Sequence, residues 1–278
     1  MRPISQDELV LLAAAYLHVP SRRLRALAQG ADAALREWVA GESARPLAHA
    51  RHQAREAVNR LAQLGAHLIT ITDPAYPAGL LDLPDPPAFL CVRGVLPLAG
   101  IAIVGSRKPP EPARAFAHAL AEGCGEAVVS GLAIGVDEAA HDGALATKTA
   151  TLAYVGTGIG ATYPPEHRDL EERIVAGGGA IASERLVDEA VTKLSLVHRD
   201  RLQAAHASAV ILVCSAVDGG AMQTLRVAKD LGRPRYALRP PRGAEGSAEY
   251  GGNQRVLADG AIALPHDIKK AIAILHAR

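Results

Sequence analysis

Cysteine, aromatic side chains and net charge are all scarce in this 278-residue chain, and each scarcity narrows what it can do. The three cysteines, Cys91, Cys124 and Cys214, stand far apart and form neither a Cys-x-x-Cys pair nor a metal-ligand cluster. That speaks against a disulfide framework and for a reducing, cytoplasmic setting. No metal site is expected. Phe, Trp and Tyr make up 3% of residues, too few for the ring platforms on which OB-fold and RRM proteins stack bases. The formal net charge is +1, so a nucleic-acid partner would have to be held by a local cluster of Lys and Arg. No apolar run approaches the roughly 20 residues that cross a bilayer. The opening Met-Arg-Pro-Ile-Ser-Gln-Asp-Glu lacks the basic-then-apolar pattern of a signal peptide. No membrane partner is expected, and no repeat of fixed period is present.

The chain is otherwise globular in composition, with 49% hydrophobic and 21% charged residues, enough for a full core and a smaller second module. Between residues 7 and 65, apolar side chains recur at helical spacing: Leu9, Leu12 and Ala13, then Leu24, Leu27 and Ala28, then Val58, Leu61 and Leu64. They predict three or four short helices and a small helical domain over residues 1–66. The apolar run His67 to Thr72 is followed by Asp73-Pro74-Ala75-Tyr76-Pro77 and Pro84-Asp85-Pro86-Pro87, which cannot continue a helix. Residues 67–99 therefore read as an ordered, Pro-rich connector.

From Ile101 onward, short β-rich runs end in Gly or Ser and alternate with helical patterns, the mark of repeated βαβ units. The predicted strands are Ile101–Val104, Ala127–Val129, Thr151–Val155, Ala180–Ala182, Val210–Val213 and Arg235–Leu238. Their unalternating apolar character suits strands covered by helices on both faces. The fold class is α/β: an extended Rossmann-like, doubly wound parallel sheet over residues 100–278, preceded by the small N-terminal helical domain.

In such a sheet ligands bind beyond the carboxyl ends of the strands. Those ends carry Gly105-Ser106-Arg107-Lys108, Ser130-Gly131, Gly156-Thr157-Gly158, Ser183-Glu184, and Ser215 ahead of Asp218-Gly219-Gly220. Small residues let the backbone approach a ligand, and free N–H groups at the following helix starts attract phosphate. Arg107 and Lys108 would add charge at the same edge, with Arg199 and Arg201 within reach. Gly and Ser also build tight turns, and Arg side chains also sit in water. Four such loops at one edge favour a phosphate groove.

Other patterns at this edge carry less. Gly156-Thr157-Gly158-Ile159-Gly160-Ala161 fits the dinucleotide fingerprint formally. However, Tyr163-Pro164-Pro165 falls where that motif needs a helix, and Glu184 lies too far on for the ribose carboxylate. No nicotinamide, flavin or other cofactor is expected. Asp137 and His141 are spaced i, i+4, share a helix face and could hydrogen-bond, more as a structural pair than as an acid–base couple. Ser130 lies in Val-Ser-Gly-Leu, not in a Gly-x-Ser-x-Gly nucleophile elbow. No catalytic residue is assigned, and a binding protein is expected before an enzyme. Tyr163, just after the third strand, is either a base contact or a capped, partly buried tyrosine.

Several stretches, in order from Leu68 to Leu264, resemble the DNA-processing protein A (DprA, or Smf) family. Thr72-Asp73-Pro74-Ala75-Tyr76-Pro77 and Pro86-Pro87-Ala88-Phe89-Leu90 look like its entry segment, and Val104-Gly105-Ser106-Arg107 like its first-loop signature. Ser130-Gly131-Leu132-Ala133-Ile134-Gly135-Val136-Asp137, with His141 after it, is similar to its most specific motif. Gly156-Thr157-Gly158, Tyr163-Pro164, Leu170 and Ser183-Glu184 resemble the next blocks. Gly251-Gly252-Asn253-Gln254, Leu257 and Gly260-Ala261 resemble the closing pattern.

The resemblance implies an extended Rossmann fold, a homodimer, single-stranded DNA binding, and loading of the RecA recombinase onto incoming DNA in natural transformation. It carries Ser106, Arg107, Ser130, Gly131 and Gly158 over as DNA contacts, with Arg199 and Arg201 beside them, and implies a sterile-alpha-motif-like N-terminal domain. Three features depart from the family. Arg199-Asp200-Arg201 stands where Arg-Asn-Arg is usual, Asp218-Gly219-Gly220 replaces a Ser-Gly-Ser type loop, and Pro109, Pro110 and Pro112 follow Arg107. The added carboxylates are expected to weaken or reshape phosphate binding. The stretch after Leu264 shows only a helix-like run from Asp267 to His276, so the winged-helix module of many relatives is expected to be missing. Two further readings stay open. One is a sensor or enzyme for a nucleotide-derived small molecule, which Asp200 and Asp218 favour because carboxylates suit ribose hydroxyls. The other is an adaptor whose edge binds nothing.

Overall fold

A computed structural model of the chain describes residues 4–40 and 45–277. The first four helices are α1 (Gln6–Tyr16), α2 (Ser21–Ala28), α3 (Ala33–Ala40) and α4 (Arg45–Gln63). A capping box starts α1: the Glu8 amide donates to Ser5 Oγ at 3.2 Å, and the Ser5 amide donates to the Glu8 carboxylate at 2.7 Å. Leu11, Leu12, Ala13 and Ala14 of α1 are buried against Ala50, Ala54, Ala57 and Leu61 of α4. Alanine on both helices lets the backbones approach closely. Leu9, Leu12, Leu24, Leu27, Val58 and Leu61, read from the sequence as apolar stripes, all lie in or against this cluster.

One nine-stranded sheet organises the rest, in the order β1-β2-β6-β5-β4-β3-β7-β8-β9. The strands are β1 (Ala66–Thr70), β2 (Phe89–Gly94), β3 (Ile101–Val104), β4 (Val128–Ser130) and β5 (Thr151–Tyr154). They continue with β6 (Ala180–Ser183), β7 (Ala209–Leu212), β8 (Arg235–Leu238) and β9 (Ile262–Leu264). All six strands expected from apolar runs are present within a residue or two. From β3 to β9 every pairing is parallel.

The Pro-rich stretch, read as a connector, supplies two further strands. β1 and β2 pair antiparallel with each other, and β2 pairs antiparallel with β6. The prolines border these strands instead of interrupting them, as their missing N–H groups require. Phe89-Leu90-Cys91-Val92 is buried on both faces and so lacks the alternation that marks a half-exposed strand. β9 is only three residues long and partly exposed, too short to show either pattern.

Helices α5 (Glu111–Gly123), α6 (Val136–Ala146) and α11 (Ile268–His276) cover one face. There Phe116, Leu120, Ala140 and Leu275 pack on Ile101, Ile103, Val128 and Ile211. The opposite face carries α8 (Lys193–His206), α9 (Ala221–Asp230) and α10 (Gly251–Ala258). On that side Leu202, Leu225 and Val256 pack on Ala102, Val104, Val129 and Leu152. Successive residues of a strand point to opposite faces, which is why Ile101 and Ile103 join one layer and Ala102 and Val104 the other. Helix α7 (Arg168–Ala176) closes the β6 side, its Leu170 and Ile174 packing in the cluster shared with α1 to α4.

β3 leads through α5 to β4 on one side, while β7 lies on its other side, so the winding reverses between β3 and β7. A crevice opens at such a reversal because the two flanking connections diverge to opposite faces. Asn253 of α10 holds the far wall of that crevice. Its Nδ2 donates to Val213 O and Leu238 O, each at 2.9 Å, and its Oδ1 accepts from the Ser215 amide at 3.0 Å.

Candidate functional site

The crevice is a cavity of about 510 Å³ at the carboxyl ends of β3 and β7. Three segments build it: the Gly105–Arg107 loop, the loop from Ser215 into α9 with Gly219, Gly220 and Thr224, and one face of α8. On α8 the lining residues Lys193, Leu196, Asp200 and Gln203 follow the i, i+3/i+4 spacing of a single helix face. A capping box at Thr192 and Ser195 starts that helix, with two reciprocal backbone-to-hydroxyl bonds of 2.9 Å.

The first loop is held from behind, leaving its side chains free. The Ser106 amide donates to Cys214 O at 2.8 Å, and Ser106 O accepts from the Val136 amide at 3.2 Å. Ser106 Oγ accepts from the Lys108 amide at 3.0 Å, which closes the turn. Gly135, at φ +91°, lies under this loop, and a Cβ there would sit 2.7 Å from both Ser106 O and Pro109 Cδ. Only glycine meets both the backbone angle and the close approach. Arg107 and Lys108 are exposed, with Arg107 at the rim of the cavity.

Beneath the rim lies a buried ionic cluster. Arg199, 5% exposed, donates through Nη1 to Tyr154 O at 2.8 Å and through Nε to Leu196 O at 3.3 Å, with Asp200 Oδ1 3.1 Å from Nε. Arg199 lines both this cavity and the recess beside it. The guanidinium passes directly over Gly131, where a Cβ would fall 1.7 Å from Nη1. Asp137 turns its Oδ2 to the amides of Gly131 and Ala133, at 3.1 and 3.4 Å. Burial raises the proton affinity of Asp137, with Arg199 opposing it. Burial likewise pushes Asp200 up to about 7, opposed by Arg199 and assisted by Asp137. The cavity is thus lined by three cations, Arg107, Lys193 and Arg199, and two carboxyl groups, Asp137 and Asp200.

A shallower recess of about 60 Å³ adjoins it, lined by Arg107, Gly131, Ile134, Gly156, Tyr163, Leu196 and Arg199. Tyr163 is half-buried there, with its ring beside the groove.

Several residues expected at the edge face elsewhere. Ser130 Oγ donates to Ile103 O at 2.7 Å, Thr157 Oγ1 to Ala161 O at 2.8 Å and Ser183 Oγ to Thr157 O at 2.5 Å. All three hydroxyls are buried, where an unpaired O–H is costly, and backbone carbonyls of β3 and of the loop after β5 claim them. Gly158 packs against the backbone of Leu186 and Val187, away from the cavity. Arg201 is two positions from Arg199 and so points about 200° around the helix. It pairs with Glu184 and lines a separate cavity against the N-terminal helices.

The expected Asp137–His141 hydrogen bond is not formed. His141 Nδ1 meets Thr151 Oγ1 at 2.7 Å, and since that hydroxyl donates to Val128 O at 2.9 Å, the imidazole carries its proton on Nδ1. Burial lowers His141 to about 3, so the ring is neutral, and its Nε2 is buried without a partner. Asp137 serves the loop amides because a buried carboxylate needs several N–H donors.

Lys193, Gln203 and Thr224 escaped the sequence reading. For Lys193 and Gln203 the signal was the α8 face that runs between them, legible once Asp200 is placed in a helix, whereas Thr224 on α9 had none. Among the described residues no three His, Cys, Asp or Glu side chains cluster as a metal site. No described helix is long and apolar enough to cross a membrane.

Residues 67–275 match the profile of the DNA recombination-mediator protein A family. The chain belongs to that family. The Smf protein of Synechocystis is 32% identical over 186 residues, covering 63% of this chain and 46% of that protein. The Smf protein of Escherichia coli is 33% identical over 194 residues, covering 67% and 52%. The chain thus spans about half the length of these curated relatives. DprA from Streptococcus pneumoniae shares the fold, with a TM-score of 0.70 at 22% identity over 96% of this chain and 93% of that one. DNA processing protein A from Helicobacter pylori, whose single-stranded DNA binding mode has been described structurally, matches with a TM-score of 0.66. It is 26% identical over 76% of this chain and 96% of that one. The family match covers β2 through α11, hence every segment that lines the cavity.

Proposed function

We propose that the rim and cavity between β3 and β7 hold the phosphates of single-stranded DNA, and that this chain acts as a DNA-processing protein in recombination. One observation carries the reading. Three cations, Arg107, Lys193 and Arg199, line one cavity together with the small residues Gly105, Ser106, Ser215, Gly219 and Gly220, and exposed Lys108 follows Arg107 in the first loop. Backbone N–H groups and fixed cations bind phosphate without regard to sequence. Bases have few exposed rings to stack on, so the backbone supplies most of the affinity. The DNA-binding relative from Helicobacter pylori supports the assignment. A homodimer, and delivery of the bound strand to the RecA recombinase during natural transformation, complete the proposal.

The test is fluorescence anisotropy of labelled oligo(dT) across a salt series, with duplex DNA of equal length as control. Single-strand affinity should fall linearly with salt on logarithmic axes, by about 0.7 in slope for each phosphate contacted. Arg107→Ala should weaken binding alike for all sequences and lower that slope by about one contact. An unchanged slope removes Arg107 from the interface.

Asp137 and Asp200 favour a second reading, a site for a nucleotide-derived small molecule, since carboxyl groups pair with ribose hydroxyls. Thermal shift by free nucleotides, with no oligonucleotide binding at low salt, would establish it in place of the first.

A further inference from the structure

The floor of the cavity holds hydrogen-bond acceptors that phosphate binding does not use. Asp200 Oδ1 is taken by Arg199 Nε at 3.1 Å and by Gln203 Nε2 at 3.4 Å. Oδ2 accepts no hydrogen bond from the described residues. Beside it, Gln203 is 1% exposed, and its Oε1 is buried with no partner. Its amide orientation is set, because Nε2 must face the carboxylate. A buried acceptor left unpaired costs about 1–3 kcal/mol. Gln203 Oε1 and the Asp200 carboxyl lie on one helix face, one turn apart, and form a site that wants two adjacent donors. Phosphate offers none.

We infer that Asp200 and Gln203 form a base-recognition subsite that selects guanine, the nucleobase whose Watson–Crick edge presents two adjacent donors, N1–H and the N2 amino group. Adenine and cytosine present one amino donor beside an acceptor, and thymine one N–H between two carbonyls, so each would place an acceptor against the Asp200–Gln203 pair. The cavity volume of about 510 Å³ lies within the range that seats a nucleotide-sized ligand. Arg107 and Lys193 in the same lining supply cations for the flanking phosphates. Asp137 faces the same space but spends its Oδ2 on the Gly131 and Ala133 amides, which leaves Asp200 as the carboxylate for the base. This inference rests on the nucleic-acid reading and adds to it the base and the two residues that choose it.

The shared chemistry is the guanine edge, from a base in a DNA strand or from a free guanine nucleotide, and the arms of the experiment separate them. Full-length protein is titrated with oligo(dT) carrying one central dG, dA, dC or deoxyinosine, at a pH where Asp200 is ionised. The dG probe should bind about tenfold more tightly than plain dT, within the range of a good bidentate base contact. Deoxyinosine, which lacks the N2 amino group, should lose most of that gain. Asp200→Asn and, independently, Gln203→Leu should return the dG-to-dT ratio towards one while the oligonucleotide still binds. The ratio is the readout because removing the Asp200 charge by itself strengthens phosphate binding. Competition by dGMP where dTMP fails would extend the selectivity to the free nucleotide, and competition by neither confines it to the strand. Equal affinity for the dG and dT probes, with firm binding of both, overturns the guanine subsite and leaves the DNA groove standing. No binding of any probe at low salt overturns both.

Discussion

Replacing Asp200 by asparagine should stabilise this protein, and increasingly so as pH rises. In the folded chain burial holds Asp200 up to about 7, whereas an unfolded aspartate titrates near 3.9. Between those values the folded state keeps a proton that the unfolded state has lost, so stability falls as pH rises from about 4 to about 7 and is flat beyond. Because each tenfold change in proton affinity is worth about 1.4 kcal/mol, the penalty is about 2 kcal/mol at pH 5 and about 4 kcal/mol at pH 8. Asn keeps the shape and carries no charge, and Arg199 retains its bonds to Tyr154 O and Leu196 O. Loss of the Asp200 charge also eases ionisation of Asp137, which acts in the same direction. The stability gap between variant and parent should therefore widen by about 2–3 kcal/mol from pH 5 to pH 8. That is roughly 5–10 °C for a chain of this size. Differential scanning calorimetry at the two pH values decides it. A gap that does not change with pH, or a variant less stable at pH 8, refutes the account of Asp200 as a buried, under-compensated carboxyl.

Gly131→Ala places a Cβ 1.7 Å from Arg199 Nη1. It should cost about 2–4 kcal/mol by expelling the guanidinium from Tyr154 O, with weakened oligonucleotide binding alongside; chemical denaturation and anisotropy would show both. Arg201→Ala removes the partner of Glu184 and should cost about 2 kcal/mol with no change in the salt slope of DNA binding, because its side chain faces the other cavity. Asn253→Ala strips the bonds to Val213 O, Leu238 O and the Ser215 amide. It should cost about 3 kcal/mol and speed hydrogen exchange at the ends of β7 and β8 before elsewhere.

Much of the architecture was legible locally. The strands from Ile101 to Leu238 are covered on both faces, so each needs only its own short apolar run to declare itself, and the small residues that end them mark the sheet edge. β1 and β2 were less legible because the segment that joins them is rich in prolines that argue for a turn. At the site, Arg107 and Lys108 stood out as cations on a glycine loop; both are exposed, and Arg107 stands at the rim. Ser130, Thr157 and Ser183 looked equivalent to Ser106, yet they face inward. No sequence pattern says which hydroxyl a distant carbonyl will claim.

Arg199 and Arg201 show the same limit. They look alike in sequence, but a rotation of about 100° per residue sends them to different cavities, and only the packing of α8 on the sheet says which is which. The sequence by itself determined an α/β sheet with a small-residue edge and a cationic first loop, because burial and backbone conformation are written residue by residue. Tertiary structure alone decided three things: that the winding reverses between β3 and β7, that Arg199 lies across Gly131, and that Asp200 and Gln203 share the cavity floor. The first two join segments about 110 and 70 residues apart, and the third depends on how α8 meets the β3 and β7 loops; such placements follow from how whole layers stack, not from the local preference of any one of them.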